Sequence, residues 1–256
     1  MNVTVTQMSD GRRKFEREWG ALCRHARENS SDLVLLPEMP FSSWFCSSPK
    51  FDPEAWEGVV EEHREWTGRL GELGAPMVLG TSPVDKRGKR FNEGFVWTKA
   101  GLRGVQLKNY LPNGGGYYEA SWYHRGDRKF SKFKAGRLTG GFMICSDLWS
   151  MSSARAFGKE GVQVIASPRA TGSGSLEKWL AGGKVAAVVS GAYSISSNRV
   201  GKKGEAVFGG MGWAIDPDGG VLGTTSEEEP FVTVEVDLKK ADEAKKTYPR
   251  DSLEPD

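Results

Sequence analysis

A layered α/β fold is predicted by three features of this sequence. Apolar stripes at helical spacing alternate with short apolar runs of strand length. One pair of runs in the first half is joined as a hairpin, and no Pro/Gly/Ser-rich linker or internal repeat divides the chain. Alternation mixed with hairpins favours sheets covered by helices, and the 256 residues are read as one domain spanning 1–256.

The elements follow in order. Val3 to Gln7 reads as an opening strand, and Phe15, Trp19, Leu22 and Ala26 make an amphipathic helix of Arg12 to Glu28. Trp56, Val59, Val60, His63 and Leu70 form a second stripe from Pro53 to Leu70, with the proline suited to a first turn. Strands are predicted near 33–36, 76–80, 91–98 and 102–107, the last two joined through Lys99, Ala100 and Gly101 as a hairpin. The second half reads as strand 138–144, helix 151–159, strand 162–166 and helix 176–189, then strands near 192–197, 209–215 and 231–236. From Lys239 to Asp256 the chain is highly charged and too polar for its own core, so it is expected to pack against the chain's body or a second subunit.

Composition removes several function classes. Thirty-five basic and 33 acidic residues are interspersed, and the net charge of +2 gives no basic stripe for nucleic acid. No run of 18 apolar residues exists, and the first strand begins without a signal-peptide pattern, so a cytoplasmic protein with no membrane partner is expected. Three cysteines without framework spacing are expected to be reduced. His25, His63 and His124 are far apart and pair with no cysteine at metal spacing, so no metal and no cofactor are expected. The glycine pair before Lys184 lacks the rest of a P-loop, and Gly114 to Gly116 reads as a turn rather than a phosphate cradle.

Three predicted strands end in chemically useful side chains: Glu38 after Leu33–Pro37, Lys108 after Gly104–Leu107, and Cys145 after Leu138–Ile144. In open α/β sheets, sites form where strand ends meet, so these three are expected to converge. A lone strand-end cysteine is more often a buried structural thiol, and a lone Glu or Lys in such a place is more often solvated. Their joint occurrence favours function, since an accessible thiolate suits a nucleophile, a carboxylate suits a base and an ammonium suits developing negative charge.

These segments resemble the nitrilase-type carbon–nitrogen hydrolase superfamily, and the likeness extends over nearly the whole chain. Leu33–Glu38 is similar to its glutamate motif, Lys108–Asn113 with Gly116–Glu119 to its lysine motif, and Gly140–Trp149 to its cysteine motif. Gly191–Gly201 and Phe208–Pro217 resemble its late strands. The resemblance implies a four-layer αββα sandwich, a homodimer or larger homo-oligomer, and a catalytic set of Glu38, Lys108 and Cys145. It also implies that Glu119, the second glutamate of the motif, holds Lys108 charged or assists acyl transfer.

The activity so implied is thiol-dependent hydrolysis of a small amide or N-carbamoyl substrate through a Cys145 thioester. Nitrile hydrolysis is the alternative within the superfamily, and a binding or assembly protein on the same fold is the alternative outside it. Ser146-Asp147 stands where the nitrilase branch usually has Trp-Glu, while the Cys145-x-Asp147-x-Trp149 spacing is similar to N-carbamoylputrescine amidase. Gly114 and Gly115 replace the acidic residues of that enzyme's lysine loop, which argues against a polyamine. A carboxylate-bearing substrate requires Arg155 or Arg169 to reach in, because Leu148 and Trp149 occupy the positions of the usual arginines. Tyr118, Trp122 and Trp149 are expected to line the substrate pocket, the N–H of Ser146 to hold the oxyanion, and Asp147 to cap the helix that follows.

Overall fold

In the computed structural model, residues 1–252 are described. Strand β1 (Asn2–Ser9) leads into α1 (Arg12–Glu28), β2 (Leu33–Leu35) and α2 (Pro53–Thr67). Three strands follow, β3 (Met77–Lys86), β4 (Lys89–Thr98) and β5 (Gly101–Leu107), then the short α3 (Glu119–Trp122). The second half runs β6 (Lys132–Ala135), β7 (Leu138–Phe142), α4 (Met151–Lys159), β8 (Val164–Arg169) and α5 (Leu176–Ser190). It closes with β9 (Tyr193–Lys203), β10 (Ala206–Gly209), β11 (Trp213–Ile215), β12 (Val221–Thr224), β13 (Phe231–Glu235) and α6 (Leu238–Ala244).

The strands pair in the order β5-β4-β3-β2-β1-β9-β8-β7-β6, and β1 belongs to both halves of this path. Its first residues pair parallel with β2 and antiparallel with β13, whereas Gln7 to Ser9 pair parallel with β9. The path thus folds over at β1 into two facing sheets, giving the αββα sandwich with an α/β core. Period-two alternation sorts the side chains between layers. Val3, Val5, Leu33, Leu35, Met77, Leu79 and Val96 belong to the core shared with β7, β8 and β9. Val34, Leu36, Val78 and Phe95 point the other way, onto Phe15, Trp19 and Leu22 of α1 and Trp66 of α2. The sheets approach closely where Gly94 faces Phe142, since a methyl there would lie 3.0 Å from the ring. On the opposite face, α5 lies against the second sheet, and its Gly183 makes room for the Trp213 indole.

The predicted helices match the structure closely, and the hairpin through Lys99 and Ala100 forms as β4–β5. Three strands were not anticipated: β6 and β12, four residues each and mostly exposed, and β10, which lies ahead of the predicted run 209–215 but for Gly209. The run 209–215 is broken rather than continuous, because Gly210 and Met211 both take positive φ between β10 and β11. The charged tail begins as a helix and packs on the chain itself. Arg250 donates to the Val188 carbonyl and Lys245 to the Gly191 carbonyl, while 253–256 lie outside the described residues. Among the described residues no helix is long and apolar enough to cross a membrane.

Candidate active site

Glu38 follows β2 after Leu36 and Pro37, and its loop is fixed from three directions. Its N–H donates to the Arg169 carbonyl at 3.2 Å, and the Met39 N–H donates to Thr81 Oγ1 at 2.7 Å. The guanidinium of Arg199, from β9, donates to the carbonyls of Glu38, Met39 and Ser42 and pairs with Asp10. That dense support holds Met39 at φ +46°, a conformation costly for a residue with a side chain.

Lys108 leaves the end of β5 with its N–H bonded to the Asn92 carbonyl at 2.9 Å. Cys145 stands three residues past β7, at the start of a 3₁₀ turn of Cys145–Trp149, with φ +50°. A left-handed residue at a strand-to-helix junction turns the side chain sharply off the sheet edge, and it leaves the first N–H groups of the turn without intrahelical partners.

The expected residues meet. Lys108 Nζ lies 2.6 Å from Glu38 Oε1 and 2.6 Å from Glu119 Oε2. Asn92 Nδ2 donates to Glu38 Oε1 at 2.8 Å, and the Tyr123 hydroxyl donates to Glu119 Oε2 at 2.5 Å. The Cys145 thiol and one oxygen from each carboxylate lie within 4.8 Å of one another, with the Lys108 ammonium as the cation bonded to both acids. Each carboxylate keeps a second oxygen, Glu38 Oε2 and Glu119 Oε1, that is buried without a hydrogen-bond partner. Buried acceptors left unpaired are costly, and they mark where a donor belongs.

Electrostatics set the resting protonation. Burial first, and the Glu38 carboxylate second, push the Cys145 thiol well above its ordinary range, although Lys108 pulls it down. The sequence reading of an accessible thiolate is therefore corrected: Cys145 is 3% exposed and rests as a buried thiol. Burial also works against the Lys108 ammonium, but its acidic surroundings, with Glu119 and Glu38 in direct contact, outweigh it and hold the amine charged. Glu119 is raised to about 7, by burial against the opposing pull of Lys108.

Other expected positions fall elsewhere. Asp147 does not cap the following helix. Its Oδ1 accepts from the N–H groups of Asn109 at 3.0 Å and Tyr110 at 2.8 Å, tying the cysteine turn to the lysine loop. Asp147→Ala leaves both N–H groups unpaired, that of Asn109 buried, so a loss of about 2 kcal/mol in urea unfolding is expected, with Asp147→Asn retaining most of the stability. An unchanged unfolding midpoint in the alanine variant would dissolve the clamp.

A cavity of about 210 Å³ opens over Cys145 and Glu119, walled by Tyr117, Ala170, Gly172 and Trp179. Ser146 lines it, but its hydroxyl donates to the Tyr110 carbonyl, leaving its backbone as the group on offer. Tyr118, Trp122 and Trp149 are not among its lining residues. Trp122 is buried between Phe45 and Phe51 and donates to the Ser48 carbonyl, and Tyr118 packs beside the same aromatic cluster. Trp149 is half exposed and supports Trp179 from behind, ring centroids 4.9 Å apart. Arg169 donates to Ser196, Thr171 and the Met211 carbonyl and lies 4.0 Å over the Trp213 ring, so it does not reach in. Arg155 borders a separate pocket with Lys245 and Arg250.

Known proteins similar to this chain cover nearly its whole length. N-carbamoylputrescine amidase of Solanum tuberosum is 25% identical over 249 residues, covering 86% of this chain and 79% of that protein. A nitrilase of Pyrococcus abyssi is 26% identical over 242 residues, covering 93% and 87%. The crystal structure of a carbon–nitrogen hydrolase from Helicobacter pylori G27 superposes with a TM-score of 0.86 at 23% identity, covering 98% of this chain and 94% of that one. The family model for carbon-nitrogen hydrolases matches residues 4–246. With nearly the whole described fold inside that match, the chain belongs to the carbon–nitrogen hydrolase family of the nitrilase superfamily and is a hydrolase acting on carbon–nitrogen bonds.

Proposed function

We propose that the protein hydrolyses a small amide or N-carbamoyl compound through a thioester on Cys145. The observation that carries this reading is the pair of unpartnered oxygens, Glu38 Oε2 and Glu119 Oε1, beside the thiol and the Lys108 ammonium. A primary amide nitrogen offers two N–H donors for two such acceptors, and its carbonyl oxygen suits the ammonium.

Cys145 Sγ attacks the carbonyl carbon while its proton passes to Glu38. The oxyanion that forms is held by Lys108 and the Ser146 N–H. As the tetrahedral species collapses, the C–N bond breaks and Glu38 returns the proton to the departing nitrogen, leaving as ammonia or amine. Water then adds to the thioester, giving a proton to Glu38. The C–S bond breaks, the acid departs, and the sulfur recovers its proton from Glu38.

The test is ammonia release from a panel of aliphatic amides, carbamoyl amines and nitriles, with Cys145→Ala as control. Amide or carbamoyl turnover that vanishes in the variant is expected, along with a mass shift on Cys145 when the acyl form is trapped. Turnover confined to nitriles would replace this reading with the nitrilase one, and activity retained in Cys145→Ala would remove the thioester.

A further inference from the structure

The cavity wall contains one hydroxyl without a hydrogen-bond partner, and the mechanism above does not use it. Gly115 and Gly116 both adopt positive φ between Gly114 and Tyr117, whose backbones bond reciprocally at 2.9 and 3.2 Å. This is a tight two-residue turn of the kind that demands glycine. At Gly116 a methyl would also lie 2.6 Å from the Ala206 nitrogen, and the Gly116 carbonyl is anchored by the Trp44 indole at 2.9 Å. The turn therefore delivers Tyr117 in a fixed pose, its ring packed against Trp44 and Phe208. Its hydroxyl reaches the cavity wall beside Gly172, where an added methyl would come within 3.2 Å of the oxygen.

The other hydroxyls lining the cavity are already engaged. Ser146 donates to the Tyr110 carbonyl, Ser175 to the Gly172 carbonyl, and Thr171 accepts from Arg169. Tyr117 Oη alone among these is buried without a partner. Among the described residues the only charged side chain on the wall is Glu119, whose Oε2 is committed to Lys108 and Tyr123 and whose Oε1 is taken by the scissile amide N–H in the proposed mechanism. A charged acyl chain would lose its hydration in this small space with no free counter-charge, whereas a neutral polar one finds one open partner.

We propose that the acyl pocket selects an uncharged amide carrying a hydrogen-bond acceptor near the scissile carbonyl, and that Tyr117 is the specificity residue donating its hydroxyl to that acceptor. This rests on the proposed thioester reading for the position of the reacting carbonyl, and it narrows the substrate class. Burial pushes the phenol up to about 12, so the hydroxyl remains a donor throughout the working pH range. The ring is already immobilised, so the contact sacrifices little side-chain freedom.

Isosteric amides test it. Ammonia release is compared for 2-hydroxypropanamide against 2-methylpropanamide, and for 3-hydroxybutanamide against 3-methylbutanamide, in the parent and in Tyr117→Phe. Anionic malonamate and cationic 3-aminopropanamide complete the panel. The parent is expected to favour at least one hydroxy amide over its methyl isostere by roughly five- to tenfold in kcat/KM, with both charged amides at least tenfold slower. In Tyr117→Phe that hydroxy-to-methyl ratio falls to about one. The same compounds are also scored by how well they protect Cys145 from iodoacetamide, which needs no turnover. Protection with the expected order but without ammonia release would sink the hydrolytic reading and leave the specificity assignment standing. A hydroxy preference that survives in Tyr117→Phe, no preference in either readout, or a charged amide preferred in the parent would each overturn it.

Discussion

Glu38→Gln is expected to lower kcat about 10²–10⁴-fold while leaving the fold intact, the range that general-base catalysis supplies. The reason lies in the resting state of the nucleophile. A free cysteine titrates near ~8.5 and a free glutamate near ~4.3, so unaided transfer between them is uphill by roughly four units, or about 6 kcal/mol. Here the thiol is buried and pushed higher still, so the proton has to leave during attack rather than before it. Glutamine preserves an oxygen for the Lys108 and Asn92 donors at 2.6 and 2.8 Å, which keeps the loop in place, but it takes no proton. Acylation and deacylation both use that acceptor. Rapid-quench measurement should therefore show slow formation of the acyl-enzyme and slow loss of it once formed. Turnover within tenfold of the parent would remove Glu38 from the base role.

The convergence of Glu38, Lys108 and Cys145 was legible because each ends a strand, and a parallel α/β arrangement brings strand ends to one edge. What escaped the sequence depends on geometry that neighbours in the chain do not encode. Tyr117 and Tyr118 have the same composition signal, and only the Gly115–Gly116 turn decides which of them faces the cavity. Trp179 displaces Trp149 as a wall because α5 carries it across the cysteine turn, a contact set by helix packing. Asp147 looked like a cap from local chemistry, yet its partners lie 37 and 38 residues earlier in the lysine loop. Edge strands β6 and β12 were silent because each is only four residues long, too short for a strand pattern to stand out. The glycines of the lysine loop were informative in another way. Gly114 and Gly115 offer a cation no partner, and among the described residues Glu119 is the one carboxylate on the cavity wall.

Lys108→Met is expected to cost about 3–5 kcal/mol of stability and to do so in a pH-dependent way. The ammonium lies 2.6 Å from both Glu38 and Glu119, all three side chains fully or almost fully buried. Methionine has similar bulk but no charge, so two carboxylates are left facing each other in a dry site. In the parent, Glu119 is raised by burial to about 7 from an unfolded value of 4.5, despite the lowering effect of Lys108. A raised carboxylate binds its proton more tightly when folded. Its contribution to stability is present in full below 4.5 and is lost as pH rises through about 7. Without the ammonium Glu119 moves higher, so the loss continues above neutrality. Asp147, raised to about 7 by burial and likewise lowered by Lys108, moves in the same direction. Urea unfolding of the two proteins should give curves that lie closest near pH 5 and separate steadily towards pH 9. A separation that stays constant across that range would show that the lysine acts through packing rather than charge, and an equal midpoint would remove its structural role. The lost oxyanion partner adds a rate defect of roughly 10²–10³-fold, which acid does not repair.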